Sequence, residues 1–152
     1  MAAPFAPAKR ATLWIPDTGP ANDTNRGHLF VILTDPCKEG HNLLVPICSA
    51  YERCDRACLV GVGDHPFLKH PSFVFYGGMR TFESAGLVEA ERKGRATYRG
   101  AVDDRLFGFI CAGVAKSPFA PLKFKKYFEA QLAAEKAAKA AAAAKKKEGL
   151  AR

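Results

Sequence analysis

HLFVILT (His28–Thr34) and NLLVPIC (Asn42–Cys48) are two apolar runs separated by the polar stretch DPCKEGH (35–41). Each is short, rich in leucine and β-branched residues, and bounded by Gly, Pro, Asn or Asp. That is the signature of a buried strand rather than a helix. Reactive side chains frame the pair: Arg26 and His28 open the first run, and Cys48 and Ser49 close the second. Working outward, ATLWI (11–15) precedes a polar loop at 16–27, while SFVFY (72–76) and MRTFE (79–83) follow. Strands are expected near 11–15, 28–34, 42–48, 57–62, 72–76 and 78–82. Several short strands with turn signals between them predict a mainly β, α+β domain built as a small barrel or sandwich. The 16–27 loop is long for a compact domain, and loops of that length often carry function.

The chain then turns helical. A short turn or helix at 83–91 leads through a basic connector, RKGRATYRG (92–100), to an amphipathic helix over 102–116. Asp103 is its expected N-cap, and Leu106, Phe107, Ile110, Cys111 and Val114 recur on one face. Ser117-Pro118 ends it, because proline disfavours a helical residue before it. From Leu122 an apolar face (Leu122, Phe124, Tyr127, Phe128, Leu132) gives way to AAEKAAKAAAAAKKK. Alanine has the highest helix propensity, so this tail is expected to be helical but exposed, with no apolar stripe to bury.

Composition sets the outer bounds. At 152 residues the chain fits one domain: a disordered Ala/Pro-rich start at 1–10, a domain at 11–121 and a basic tail at 122–152. The tail holds 9 of the 23 Lys+Arg and 3 of the 15 Asp+Glu, so it carries +6 of the net +8. Such a tail suits a polyanion. It reads either as a solvated low-complexity extension or as a sequence-independent nucleic-acid clamp. No secretory signal and no long apolar span are recognisable, so a cytoplasmic protein without a membrane role is expected. The five cysteines (37, 48, 54, 58 and 111) are then expected to be reduced.

The order of these segments resembles the MazF/PemK family of bacterial toxins, small SH3-like barrels that cut RNA without a metal. In that family a strand ending W-V leads through a loop to R-P-…-V-V-L-S, then V-P-…-T, then S-…-V and a short R-T strand. Residues 11–116 follow that order. The resemblance implies a small SH3-like antiparallel barrel with a packed C-terminal helix, and a toxin-type endoribonuclease acting on single-stranded RNA. It also implies an acidic antitoxin partner, a possible homodimer and no cofactor. In such enzymes an Arg opens the second strand and a Thr or Ser ends the third. Here the Arg position falls on His28, with Arg26 two residues earlier, and the Thr position falls on Cys48 with Ser49 beside it. The site is either rebuilt around a His–Arg pair or lost, which leaves a silent SH3-like module that binds nucleic acid or a partner protein.

Metal-free RNA cleavage needs a base for the 2′-OH proton, an acid for the leaving 5′-oxygen and a cation for the phosphorane. Histidine suits the first two and arginine the third. His28, Arg26, Ser49 and His65 are the candidate catalytic residues. His65 comes from GDHPFLKHPSF (63–73), which also holds Asp64 and His70. Arg80, where the family has its R-T strand, and Lys123, Lys125 and Lys126 are candidate nucleic-acid contacts. Each has a plainer alternative: a satisfied strand-end histidine at 28, a turn hydroxyl at 49, solvated cations at 26 and 80, and loop histidines that cap backbone groups at 65 and 70. Cys54-x3-Cys58 with Cys37 and His41 admits a structural zinc, and the His65–His70 loop admits a metal. Neither carries a full ligand signature, and no metal is assigned.

Overall fold

The computed structural model of the chain describes residues 5–16 and 27–150; Arg26 and most of the 16–27 loop lie outside these. Among the described residues seven strands form one antiparallel sheet: β1 (Ala11–Ile15), β2 (His28–Ile32), β3 (His41–Ser49), β4 (Leu59–Val60), β5 (Ser72–Val74), β6 (Arg80–Glu83) and β7 (Thr97–Ala101). It is accompanied, among the same residues, by three helices: α1 (Ser84–Arg92), α2 (Asp104–Lys116) and α3 (Leu122–Leu150). The class is therefore mainly β, α+β.

The two apolar runs pair as read, with Leu29 opposite Ile47 and Val31 opposite Val45. Both faces of β2 are buried, which is why its apolar residues are continuous rather than alternating. Leu29, Val31, Leu43, Val45 and Ile47 face Ile110 and Val114 of α2 and Phe128 of α3. Phe30, Ile32 and Leu44 face Leu13 of β1 and Leu87 of α1. Asp103 caps α2 by accepting from the Leu106 N–H at 2.8 Å.

The sheet order is β4-β5-β3-β2-β1-β7, with β6 also on β3. β3 changes partner along one edge: Ile47 pairs with Val74 of β5, and Leu44 with Arg80 of β6. The change falls at Pro46. Its carbonyl accepts from the Phe75 N–H at 2.9 Å on that edge. Proline has no N–H to return on the same side, so the ladder cannot continue there. The chain steps past it in a single 3-10 turn, Tyr76–Gly78, where a Cβ on Gly78 would meet Pro46 Cγ at 2.8 Å.

Among the described residues the expected barrel does not close. β4 and β7 stand at the two ends of the order and do not pair with each other, and β4 is only two residues long. β7 was not expected at all; it lies inside the basic connector and pairs with β1 through a bulge between Ala11 and Leu13. Residues 5–10 also differ from the expected disordered start. Phe5 packs on Tyr98 at 5.5 Å, the Pro7 carbonyl accepts from Asn42 Nδ2, and Arg10 pairs with Asp104 at 2.8 Å.

α3 is one helix of 29 residues. Phe124, Tyr127 and Phe128 dock it on the domain, and Lys9 pairs with Glu135 at 3.1 Å. Leu122 and Leu132, expected on the buried face, are 64% and 41% exposed. Residues 136–149 are exposed throughout.

Candidate functional site

A groove of about 620 Å³ opens where β1, β2 and β3 end. Its polar lining comes from His28, Cys48, Ser49, Lys69, His70 and Ser72, and its apolar lining includes Trp14, Leu29, Ile47, Phe67 and Leu68. Among the described residues no carboxylate lines it. The strand register builds one side. His28 pairs with Ile15 of β1, and the pairing of Leu29 with Ile47 carries on to set His28 across from Cys48. Ser49 pairs with Ser72. Gly27 permits the approach of Trp14, since a Cβ there would lie 2.6 Å from Trp14 Cζ2.

The loop between β4 and β5 builds the other side, and its backbone is held by its own side chains. The Gly61 N–H donates to Asp64 Oδ2 at 2.7 Å, and Ser72 Oγ donates to the His70 carbonyl at 2.9 Å. At its centre is His65, which is 3% exposed. The Phe67 N–H donates to His65 Nδ1 at 3.1 Å, which leaves the proton on Nε2. That side of the ring faces Thr12 Oγ1 at 3.5 Å and the Arg99 backbone. Thr12 Oγ1 in turn donates to the Gly100 carbonyl at 2.7 Å. His65 thus packs the loop against β1, next to the β7 backbone. Burial pushes its pKa below the ordinary histidine value.

This arrangement separates the residues singled out in the sequence. His28 and Ser49 meet in the groove; Arg26 lies outside the described residues. His65 was expected beside them at a phosphate, but it does not line the groove, because both ring nitrogens are spent inside the fold. His70 does line it, as does Lys69, which the sequence reading passed over. The signal was present in KHPS, where a strand begins two residues after His70. Trp14 and Phe67 were also missed as groove residues. Their rings lie 5.2 Å apart at 53°, and the Arg99 guanidinium covers Phe67 at 4.8 Å.

Arg80 was expected near the groove and lies elsewhere. Its guanidinium sits over Phe30 at 5.6 Å and Phe82 at 6.0 Å, on the sheet face that packs against α1. Lys123 stands over Phe124 at 4.8 Å and lines a separate hollow with Cys37, His41 and Tyr127. That hollow is at the start of β3 and the groove at its end, roughly 25 Å away at about 3.3 Å per residue. Lys125 and Lys126 lie on the same turns of α3. The zinc alternative finds no support in placement: among the described residues no three His, Cys, Asp or Glu side chains gather as metal ligands. Cys54 and Cys58 are buried, and burial raises the Cys58 thiol pKa.

Among the described residues no helix is long and apolar enough to cross a membrane. No family model matches the chain, and no curated protein matches it. Among solved structures the chain is similar to two crystal forms of MazE-MazF from Deinococcus radiodurans. The first is 9% identical, with 74% of this chain and 94% of that chain covered and a TM-score of 0.45; the second is 14% identical, with 74% and 92% covered and a TM-score of 0.46.

Proposed function

We propose that the chain is a toxin-type endoribonuclease that cleaves single-stranded RNA without a metal. Residues 11–121 form its catalytic domain and 122–152 an appended basic segment. The observation that carries the reading is the groove that collects His28, Ser49, Lys69 and His70 with no carboxylate among its described lining. Two imidazoles at one anionic substrate supply the base and the acid of a transesterification. One takes the 2′-OH proton as the 2′-oxygen attacks phosphorus, and the other protonates the departing 5′-oxygen. The products are a 2′,3′-cyclic phosphate and a 5′-hydroxyl. Lys69 and Arg26 hold the charge that builds on the phosphorane, and the Ser49 hydroxyl donates to a non-bridging oxygen. His65 acts through Phe67 and the loop and touches no substrate. An acidic antitoxin and a homodimer belong to the same reading, through the motif order in the sequence. So does a cytoplasmic location.

The replacement of the family's Arg and Thr by His28 and Cys48 favours a second reading, a silent module that binds nucleic acid. Cleavage of a labelled single-stranded RNA by the purified chain decides between them. A positioned acid–base group contributes roughly 10²–10⁴ in rate. His28→Ala should therefore reduce cleavage by about that factor, and EDTA should leave wild-type cleavage unchanged. His41→Ala, at the far end of β3, is the control and should cut normally. RNA left intact by the wild-type chain, with or without added metal, would rule out the nuclease.

A further inference from the structure

The groove has an interior that phosphate chemistry alone does not require. Its apolar lining is Leu29, Ile47 and Leu68, all buried, together with the half-buried, mutually packed rings of Trp14 and Phe67. Neither ring is loosely held. Trp14 is seated against Gly27, and Phe67 is tied through its N–H to His65 while Arg99 covers one face. The rim carries an ammonium, two imidazoles and a hydroxyl: Lys69, His70, His28 and Ser49. The volume, about 620 Å³, lies in the range of roughly 300–1,000 Å³ typical of small-ligand pockets.

We infer that the groove is a nucleobase pocket, in which one unpaired base of a single strand stacks against Trp14 and Phe67 while its flanking phosphates rest on Lys69 and His70. The inference rests on the nuclease reading for its choice of strand and adds what the strand must present: a base turned out of its stack. A flat aromatic ring matches the aromatic and apolar lining, and a polyanion matches a rim without carboxylates. A nucleotide unit carries both. A base held in a duplex cannot enter, so the pocket, and not only the acid–base groups, selects single strands.

Trp14 is the only tryptophan in the chain, so its emission reports on this pocket alone. The full chain is titrated with a 2′-O-methyl oligoribonucleotide, which binds but has no free 2′-OH to attack. The single strand should quench Trp14, while its duplex and an abasic oligomer of equal charge should not. Phe67→Leu keeps apolar bulk but removes the stacking ring, and should raise the Kd about tenfold. Wild-type quenching needs no variant to fold. The inference is overturned if the abasic oligomer or the duplex quenches as strongly as the single strand. It is also overturned if a nucleoside monophosphate binds as tightly as the oligomer, which would assign the pocket to free nucleotides, or if Phe67→Leu leaves the Kd unchanged. Quenching by the single strand without cleavage of ordinary RNA keeps the pocket and refutes the nuclease. Cleavage without quenching does the reverse.

Discussion

At the scale of single residues, His65 and His70 illustrate how burial assigns roles that a sequence leaves open. Both belong to one Pro-broken loop, and five residues of spacing cannot say which faces solvent. The loop's tie to β1 and β7 decides it. His65 is depressed in pKa because burial disfavours its charged form. The folded chain therefore binds this proton less readily than the unfolded chain. Its stabilising contribution is complete above the ordinary histidine value near 6.5 and is lost as pH falls toward the lower folded value. Protonation would also turn Nδ1 from an acceptor into a donor facing the Phe67 N–H. His65→Gln keeps one acceptor and one donor without a proton to gain. Its melting temperature should thus fall less than that of the wild type between pH 7.5 and 5.5; parallel curves would refute the tether. Gly113 is a second such position. Its helix passes so close to Tyr76 that an added Cβ would land on the phenol oxygen, which donates to the Ile110 carbonyl at 2.5 Å. Overpacking of this kind costs about 1–3 kcal/mol. Gly113→Ala should lose at least that in denaturant unfolding, whereas Gly108→Ala, with open space around it, should not.

At the scale of elements, the strands at the centre were legible because their burial is written in their own composition. β2, β3 and the capped helix α2 follow from apolar runs, turn residues and Asp103. β7 was not legible. TYRGA alternates between exposed and half-buried positions and contains Arg99 and Gly100, so nothing in it resembles a core strand. An edge strand draws its hydrogen bonds from a neighbour, here β1, which lies about ninety residues earlier in the register Ala11–Ala101. Local pattern cannot report such a partner. The tail shows the opposite case: helix propensity predicted α3 without any tertiary help. Beyond Glu135 it projects roughly 22 Å at about 1.5 Å per residue, carrying Lys136, Lys139 and Lys145–Lys147. Without aromatic residues to stack bases, these lysines can meet only phosphate. On the proposed reading, Lys123, Lys125 and Lys126, at the end of β3 away from the groove, add to the same non-specific surface. Deleting residues 133–152 should weaken RNA binding at low salt and flatten the dependence of log Kd on log salt, because fewer counterions are released. An unchanged slope would mean that the tail is inert.

At the scale of the whole molecule, the sequence led to a barrel and the chain forms an open sheet. Strand count and turn spacing do not determine closure, which depends on whether the two end strands are long enough to meet. β4 is two residues long and does not pair with β7, and the loop that follows it packs its buried His65 against Thr12 of β1. The groove is a product of that geometry. Its walls come from β1, β2, β3 and the loop that His65 holds down, so no single segment announces it. His28 and Ser49 were legible because they flank the apolar runs. Trp14, Phe67, Lys69 and His70 acquire meaning only once the loop is folded over the strand ends.

The pairing of β1 with β7 also bears on the order in which the chain folds. The β2–β3 hairpin closes a turn of fewer than ten residues, whereas Ala11 must find Ala101 across most of the domain. Closing the longer loop costs more chain entropy, and such contacts form late. The hairpin and its packing against α2 should therefore nucleate the domain, with the β7 ladder and the His65 tie added last. Native-state hydrogen exchange gives the test. Amides of Phe30–Ile32 and Leu43–Val45 should open only with global unfolding, while those of Thr97–Ala101 should open in a smaller, cheaper event. Equal protection in both places would make the fold a single cooperative unit. If β7 does open alone, it releases the anchor of the loop that walls the groove, and the site can come apart in a chain whose core is still folded.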